Sequence, residues 1–322
     1  MTEEKKEESG KKVSLVLKGI ISVALLSFLL YRIGLNQFVG TFGNISIGWV
    51  LVGILILTLS NITGSLQWHL LLQGSGIQVA FKRTIMYYYT GLFFNNFLLG
   101  FVGGDLFRVY DITKHSGRNS TAISTVFVDR LIGMFTMCLL ALIFAFFTID
   151  LFHVHLILYP IIGGVIVLTS TICFFYFKSF AKKFQGFGER LLPVTIHQKI
   201  HDIYNGINYF KYHTQVLIKL LFISFATQAL RILTHYCAAR SLMITLPWWD
   251  YFVLIPLISL VSMLPISIGG LGVREQSGVV LFGFLGLNAP LAFAMQLLSY
   301  FINILCSIPG GGSFIVRKHG NS

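Results

Sequence analysis

Charge is what this chain has least of. Only 11% of its 322 residues are Asp, Glu, Lys or Arg, with 12 acidic against 24 basic. Soluble domains carry about 25% charged residues, so a water-facing globular surface is excluded. Cysteine is scarce too. Cys138, Cys173, Cys237 and Cys306 each lie alone in an apolar run, with no Cys-x-x-Cys, which indicates neither a disulfide framework nor a metal site. There is no Walker A motif, metalloprotease motif or nucleophile elbow, so ATP hydrolysis and peptide cleavage have no support. The first apolar run lacks a small-residue cleavage site after it and reads as a retained span rather than a signal peptide.

Hydrocarbon fills the chain instead. Hydrophobic residues make up 55%, mean hydropathy is +0.77, and the apolar runs are roughly 20 residues long, enough to cross a bilayer as a helix. The fold class is an all-α polytopic membrane protein. Its net charge of +12 sits mainly in short connections between spans. That is the positive-inside bias with attraction to anionic lipid heads, not a nucleic-acid surface.

Residues 1–12 form a mixed-charge tail, expected to be disordered and cytoplasmic. Residues 13–318 form a single transmembrane domain. Full spans are expected at about 13–33, 49–72, 122–149, 156–177, 216–239 and 291–316. Within 178–213, Ile196, Ile200, Ile203, Ile207 and Phe210 recur at helical spacing beside Lys199, Asp202 and Lys211. This predicts an amphipathic helix on the cytoplasmic membrane surface.

The loops around 34–47, 150–155, 241–247 and 286–290 contain no Lys or Arg, whereas those around 82–83, 105–119, 178–213 and 317–318 are basic. For one side to collect every basic loop, the segments 85–104 and 251–287 must each enter and leave by the same face. The expectation is therefore about six full transmembrane helices plus two broken, re-entrant hairpins, with both termini cytoplasmic. The two hairpins open from opposite faces and share a pattern. Gly103-Gly104-Asp105 precedes Arg108, and Gly269-Gly270 precedes Arg274-Glu275. Opposed broken segments in matching positions are the trace of an inverted repeat around a midplane site.

The stretch Leu264 to Glu275 carries the sharper break. Pro265 removes a backbone donor, Gly269, Gly270 and Gly272 relax the chain, and two charges follow at once. Such a segment lines a cavity or ligand path, or is a cytoplasmic turn between ordinary spans. A glycine break before a helix N-terminus presents free N–H groups and a positive dipole end, which favours phosphate. Arginine adds a bidentate clamp. Asp105 fits a helix N-cap, with Arg108 and Asp111 following at three-residue spacing. Asp129 and Arg130 lie inside a span, where an unpaired charge costs roughly 2.5–3.5 kcal/mol, so they should face protein or water or pair with each other. Arg231 is the other deep basic residue. Arg32, Lys219 and Arg240 lie near span ends, where snorkelling accounts for them. His197 and His201, four apart, have no third ligand in view, so no metal is expected.

Asn95-Asn96 through Gly103-Gly104-Asp105-Leu-Phe-Arg108-Val-Tyr110, then Val128-Asp129-Arg130-Leu-Ile-Gly133, then Leu264 to Glu275, carry a resemblance over nearly the whole chain. The sequence resembles the lysylphosphatidylglycerol synthase transmembrane-region family. That is the flippase-type membrane domain of the bacterial multiple-peptide-resistance proteins, also found as stand-alone proteins. The resemblance implies movement of a lipid between leaflets. The synthases carry a soluble aminoacyl-transferase domain after the membrane region, whereas this chain stops at Ser322, so lipid aminoacylation is not expected of it.

The leading expectation is a lipid flippase or transporter-like protein of a prokaryotic inner membrane, with no cofactor. Its partner is a phospholipid or lipid-linked headgroup. Arg108 and Arg274 are the expected headgroup contacts, with Asp105, Asp129, Arg130 and Glu275 ordering them or coupling to protons. Asn95, Asn96, Gly269 and Gly270 sit at the breaks. The alternatives are a membrane enzyme or subunit acting on lipid-linked sugars, and a scaffold for a separate lipid-modifying transferase. An oligomer is compatible with each.

Overall fold

The computed structural model describes residues 23, 25–97, 103–145, 147, 159, 162–164, 166, 214–263, 267 and 270–319. The tail at 1–12, the surface helix at 178–213, Gly269, and most of the spans expected at 13–33 and 156–177 lie outside them. Regular structure among the described residues is helical. After a helical stretch at 25–33 come α1 (Leu35–Gly40), α2 (Ile47–Gly74), α3 (Phe81–Phe97), α4 (Gly103–Ser116) and α5 (Asn119–Ala145). They are followed by α6 (Thr214–Ser241), α7 (Trp248–Ser262), α8 (Val273–Gly283) and α9 (Ala289–His319). The short α1 falls in what the sequence presents as a loop.

Ile47–Gly74, Asn119–Ala145, Gln215–Ser241 and Ala289–Arg317 are long and apolar enough to cross a membrane. They coincide with four of the expected spans. On α2, Leu51, Leu55, Leu59 and Ile62 are exposed, as suits an outer face with hydrocarbon for solvent. Its inner face carries small and polar residues at mid-helix, with Ser60, Asn61, Ser65 and Gln67 buried.

α2 and α6 run antiparallel. At one end the Ser46 N–H donates to the Ser241 carbonyl at 2.8 Å, and at the other Leu71 packs with Leu220. α3 and α4 fold into an antiparallel hairpin. Phe94 stacks on Phe107 with centroids 3.8 Å apart, and near the open end His115 Nε2 lies 3.2 Å from the Gln78 carbonyl. Their closest approach depends on Gly104, where a Cβ would overlap the Gly91 carbonyl oxygen. α7 and α8 pair similarly, with Tyr251 and Phe282 rings 5.3 Å apart. Helices of 15 and 11 residues are each shorter than the ~20 needed to span a bilayer.

The first hairpin follows the C-terminus of α2. The second follows the C-terminus of α6, which lies beside the N-terminus of α2. The hairpins therefore enter the bundle from opposite ends and meet inside it. α9 lies along α3, and a Cβ on Gly310 would overlap the Tyr89 carbonyl oxygen. Arg317 then ties the end of α9 to the first hairpin through Asp111 Oδ2 at 3.0 Å and Thr90 Oγ1 at 2.7 Å. Asp111 is thus spent on Arg317 and not on Arg108, despite the three-residue spacing. The main core surrounds α7 at Tyr251, Phe252, Ile255 and Ile258. A second cluster joins Trp68 and Leu72 to Tyr88 and Ile112.

Candidate functional site

The hairpin tips and the inner faces of α2, α5, α6 and α9 enclose one cavity of about 250 Å³. Residues from both breaks line it, including Asn95, Asn96, Asp105, Arg108 and Arg274. Asn95 and Arg274, 179 positions apart in sequence, thus converge on one space that brings charged and polar groups inside an apolar bundle.

On the first-hairpin side four charges form a connected set. Arg108 Nη2 meets Asp129 Oδ2 at 2.8 Å and its Nη1 meets Asp105 Oδ1 at 3.3 Å. Arg130 Nε meets the other oxygen of Asp105 at 2.7 Å. Gln67 Nε2 donates to Asp129 Oδ1 at 2.8 Å. Arg108 is 5% exposed, and its guanidinium lies over the faces of both Trp68 and Tyr88, 4.1 and 4.8 Å from their centroids. An ion set this buried exists only because each charge has an opposite neighbour, since a lone buried ion is prohibitively desolvated. Asp105 lies in the first turn of α4, but its oxygens go to the two arginines.

The asparagines anchor the tip. Asn95 Oδ1 accepts the Gly104 N–H at 2.8 Å, bridging the break. Asn96 Nδ2 donates to Ser307 Oγ at 2.9 Å on α9, and its carbonyl accepts Tyr300 Oη–H at 3.1 Å.

Across the cavity, α8 starts at the second break. Gly270 and Gly272 have φ of +76° and +83°, values that favour glycine. Glu275 is fully buried and accepts the Gly272 N–H at 2.6 Å. Its other oxygen pairs with Arg274, through Nε at 3.1 Å and through Nη2. The Arg274 guanidinium covers the Tyr300 ring at 4.5 Å. The two breaks are thus joined through Tyr300, which touches Arg274 and holds Asn96.

Of the residues picked out from sequence, Asn95, Asn96, Asp105, Arg108, Asp129, Arg130 and Arg274 line this cavity. Glu275 stands directly behind Arg274. Gly270 turns the chain into α8, and Gly269 is not described. Arg231, read from sequence as a deep basic residue, lines the cavity too. Sequence reading passed over Gln67, Tyr300 and the polar residues beside Arg231 on α6, where Thr227, Gln228, Thr234 and His235 all face the cavity. Their signal was a set of polar residues at helical spacing in an apolar span.

The model of the lysylphosphatidylglycerol synthase TM region matches residues 15–310. A UPF0104 membrane protein of Pyrococcus horikoshii is 23% identical, the match covering 93% of this chain and 96% of that relative. The family match runs through the two hairpins and the spans that hold them, and the chain belongs to the lysylphosphatidylglycerol synthase transmembrane-region family.

Proposed function

We propose that this protein is a lipid flippase or transporter-like protein of a prokaryotic cytoplasmic membrane, taking a phospholipid or lipid-linked headgroup between its hairpins. The observation that carries the reading is one shared cavity, lined with charge from two hairpins that enter from opposite ends. A headgroup needs a polar enclosure while its acyl chains stay in hydrocarbon. Membership of a family described by a lipid-modifying synthase supports the lipid as cargo. In this reading the hairpins are re-entrant and related as an inverted repeat. The ion-paired faces of Arg108 and Arg274, with Asn95 and Asn96, surround the head, while Asp105, Asp129, Arg130 and Glu275 order them.

The test is purified protein in vesicles carrying a headgroup-labelled phospholipid and a membrane-impermeant quencher. Quenching beyond that of protein-free vesicles, with no new lipid product, is the expected result. A converted lipid would instead indicate a membrane enzyme acting on lipid-linked substrates. Neither change would leave a scaffold for a separate transferase.

Orientation has its own check. Lys82, Arg83, Lys114, Arg118 and Arg317 belong to the end where the first hairpin opens, which the positive-inside bias assigns to the cytoplasm. Single cysteines at Asn44, Pro247 or Asn288 should react with an impermeant reagent on intact cells, and one at Ser116 should not. External labelling at Ser116 would reverse the arrangement.

A further inference from the structure

Among the described residues, the charges around the cavity do not cancel. Asp105 and Asp129 offset Arg108 and Arg130, and Glu275 offsets Arg274. Arg231 also lines the cavity, and its Nη1 donates only to the neutral Gln228 Oε1 at 3.4 Å. Among the described residues no carboxylate pairs with it. Asp111 is held by Arg317, and Asp250 lies in the first turn of α7, at the end of the bundle. Among the described residues one positive charge is left over, at the level of the apolar spans.

Unpartnered polar groups share its surroundings. Asn61 on α2 is 2% exposed, lines the cavity, and its Nδ2 has no hydrogen-bond partner. His235, one turn beyond Arg231, lines it too, with Nδ1 unpartnered. Buried donors and an uncompensated guanidinium are costly unless a ligand completes them. A cavity with one surplus positive charge and several spare donors suits an anion with a single charge and more than one oxygen. A phosphodiester has both. A phosphate monoester would bring nearly two charges at neutral pH and leave one unbalanced.

We propose that Arg231, flanked by Asn61 and His235, binds the phosphodiester monoanion of the lipid headgroup. This rests on the lipid reading above and names the groups that hold the lipid's phosphate. The paired arginines Arg108 and Arg274 then shape the walls, and Arg231 makes the charged contact.

Calorimetric titration of the full chain in detergent tests this with three probes: dioctanoyl phosphatidylglycerol, dioctanoylglycerol and inorganic phosphate. Wild type should bind the phosphatidylglycerol most tightly. Arg231→Gln should weaken that binding roughly ten- to a hundredfold, the loss of one charge-assisted contact. Arg231→Lys should fall between, keeping charge without the fork. Asn61→Ala, which leaves every ion pair in place, should weaken binding severalfold and serves if the Arg231 variants do not fold. Equal phosphatidylglycerol affinity in wild type and Arg231→Gln overturns the proposal. So does inorganic phosphate binding as tightly as the lipid, which marks a free-phosphate site, and so does equal binding of dioctanoylglycerol. The vesicle assay separates the two readings. Arg231-dependent binding without translocation leaves the phosphate site standing and removes the transport role. Translocation that Arg231→Gln leaves unchanged does the reverse.

Discussion

Arg108→Ala should destabilise the folded protein by about 3–5 kcal/mol, the usual consequence of removing one partner from a buried ion pair. The side chain neutralises Asp129 at 2.8 Å and Asp105 at 3.3 Å while enclosed by Trp68 and Tyr88. Without it Asp129 keeps only the Gln67 amide, and Asp105 keeps Arg130, which is partly open to the cavity. The measurement is thermal melting in detergent, with Asp129→Asn and the double variant completing a cycle. The double variant should melt above Arg108→Ala, because the stranded carboxylate is gone. From sequence alone Arg108 reads as a headgroup contact removable without unfolding. Its burial changes the expected phenotype from lost affinity to lost stability. Normal melting with abolished translocation would return Arg108 to the role of ligand contact.

Apolar length and loop charge made the spans readable, because both are local in sequence. The runs behind α2, α5, α6 and α9 need no tertiary information, and neither do the glycine breaks at 103–104 and 270–272. Which charges pair was hidden. Asp129 and Arg130 are adjacent and invite mutual pairing, but successive helical side chains diverge by about 100° around the axis. Asp129 therefore turns to Arg108 and Arg130 to Asp105. The Asp111–Arg317 contact joins positions 206 apart, and no spacing rule reaches that far. Arg231 was visible as a deep cation, but that none of the described carboxylates pairs with it was not. That fact needs the described carboxylates around it to be placed first. The short α1 was missed because six residues without charge or strong periodicity look like loop.

The α8 N-terminus should be as sensitive as the Arg108 set. Glu275→Ala is expected to cost about 3–5 kcal/mol, since Glu275 is fully buried and answers two groups at once. It accepts the Gly272 N–H, one of the donors that a helix start leaves unpaired. It also neutralises Arg274, whose guanidinium rests on the face of Tyr300. Glu275→Gln should lose less, because an amide oxygen can still accept from Gly272 while the charge pairing is gone. The expected order of melting temperature is wild type, then Glu275→Gln, then Glu275→Ala, with Arg274→Ala plus Glu275→Ala recovering part of the loss. Limited proteolysis should then cut between α7 and α8 in Glu275→Ala before it cuts wild type. If all these variants melt with wild type and Arg274→Ala also translocates lipid normally, the second break is a turn with no part in the cavity's work.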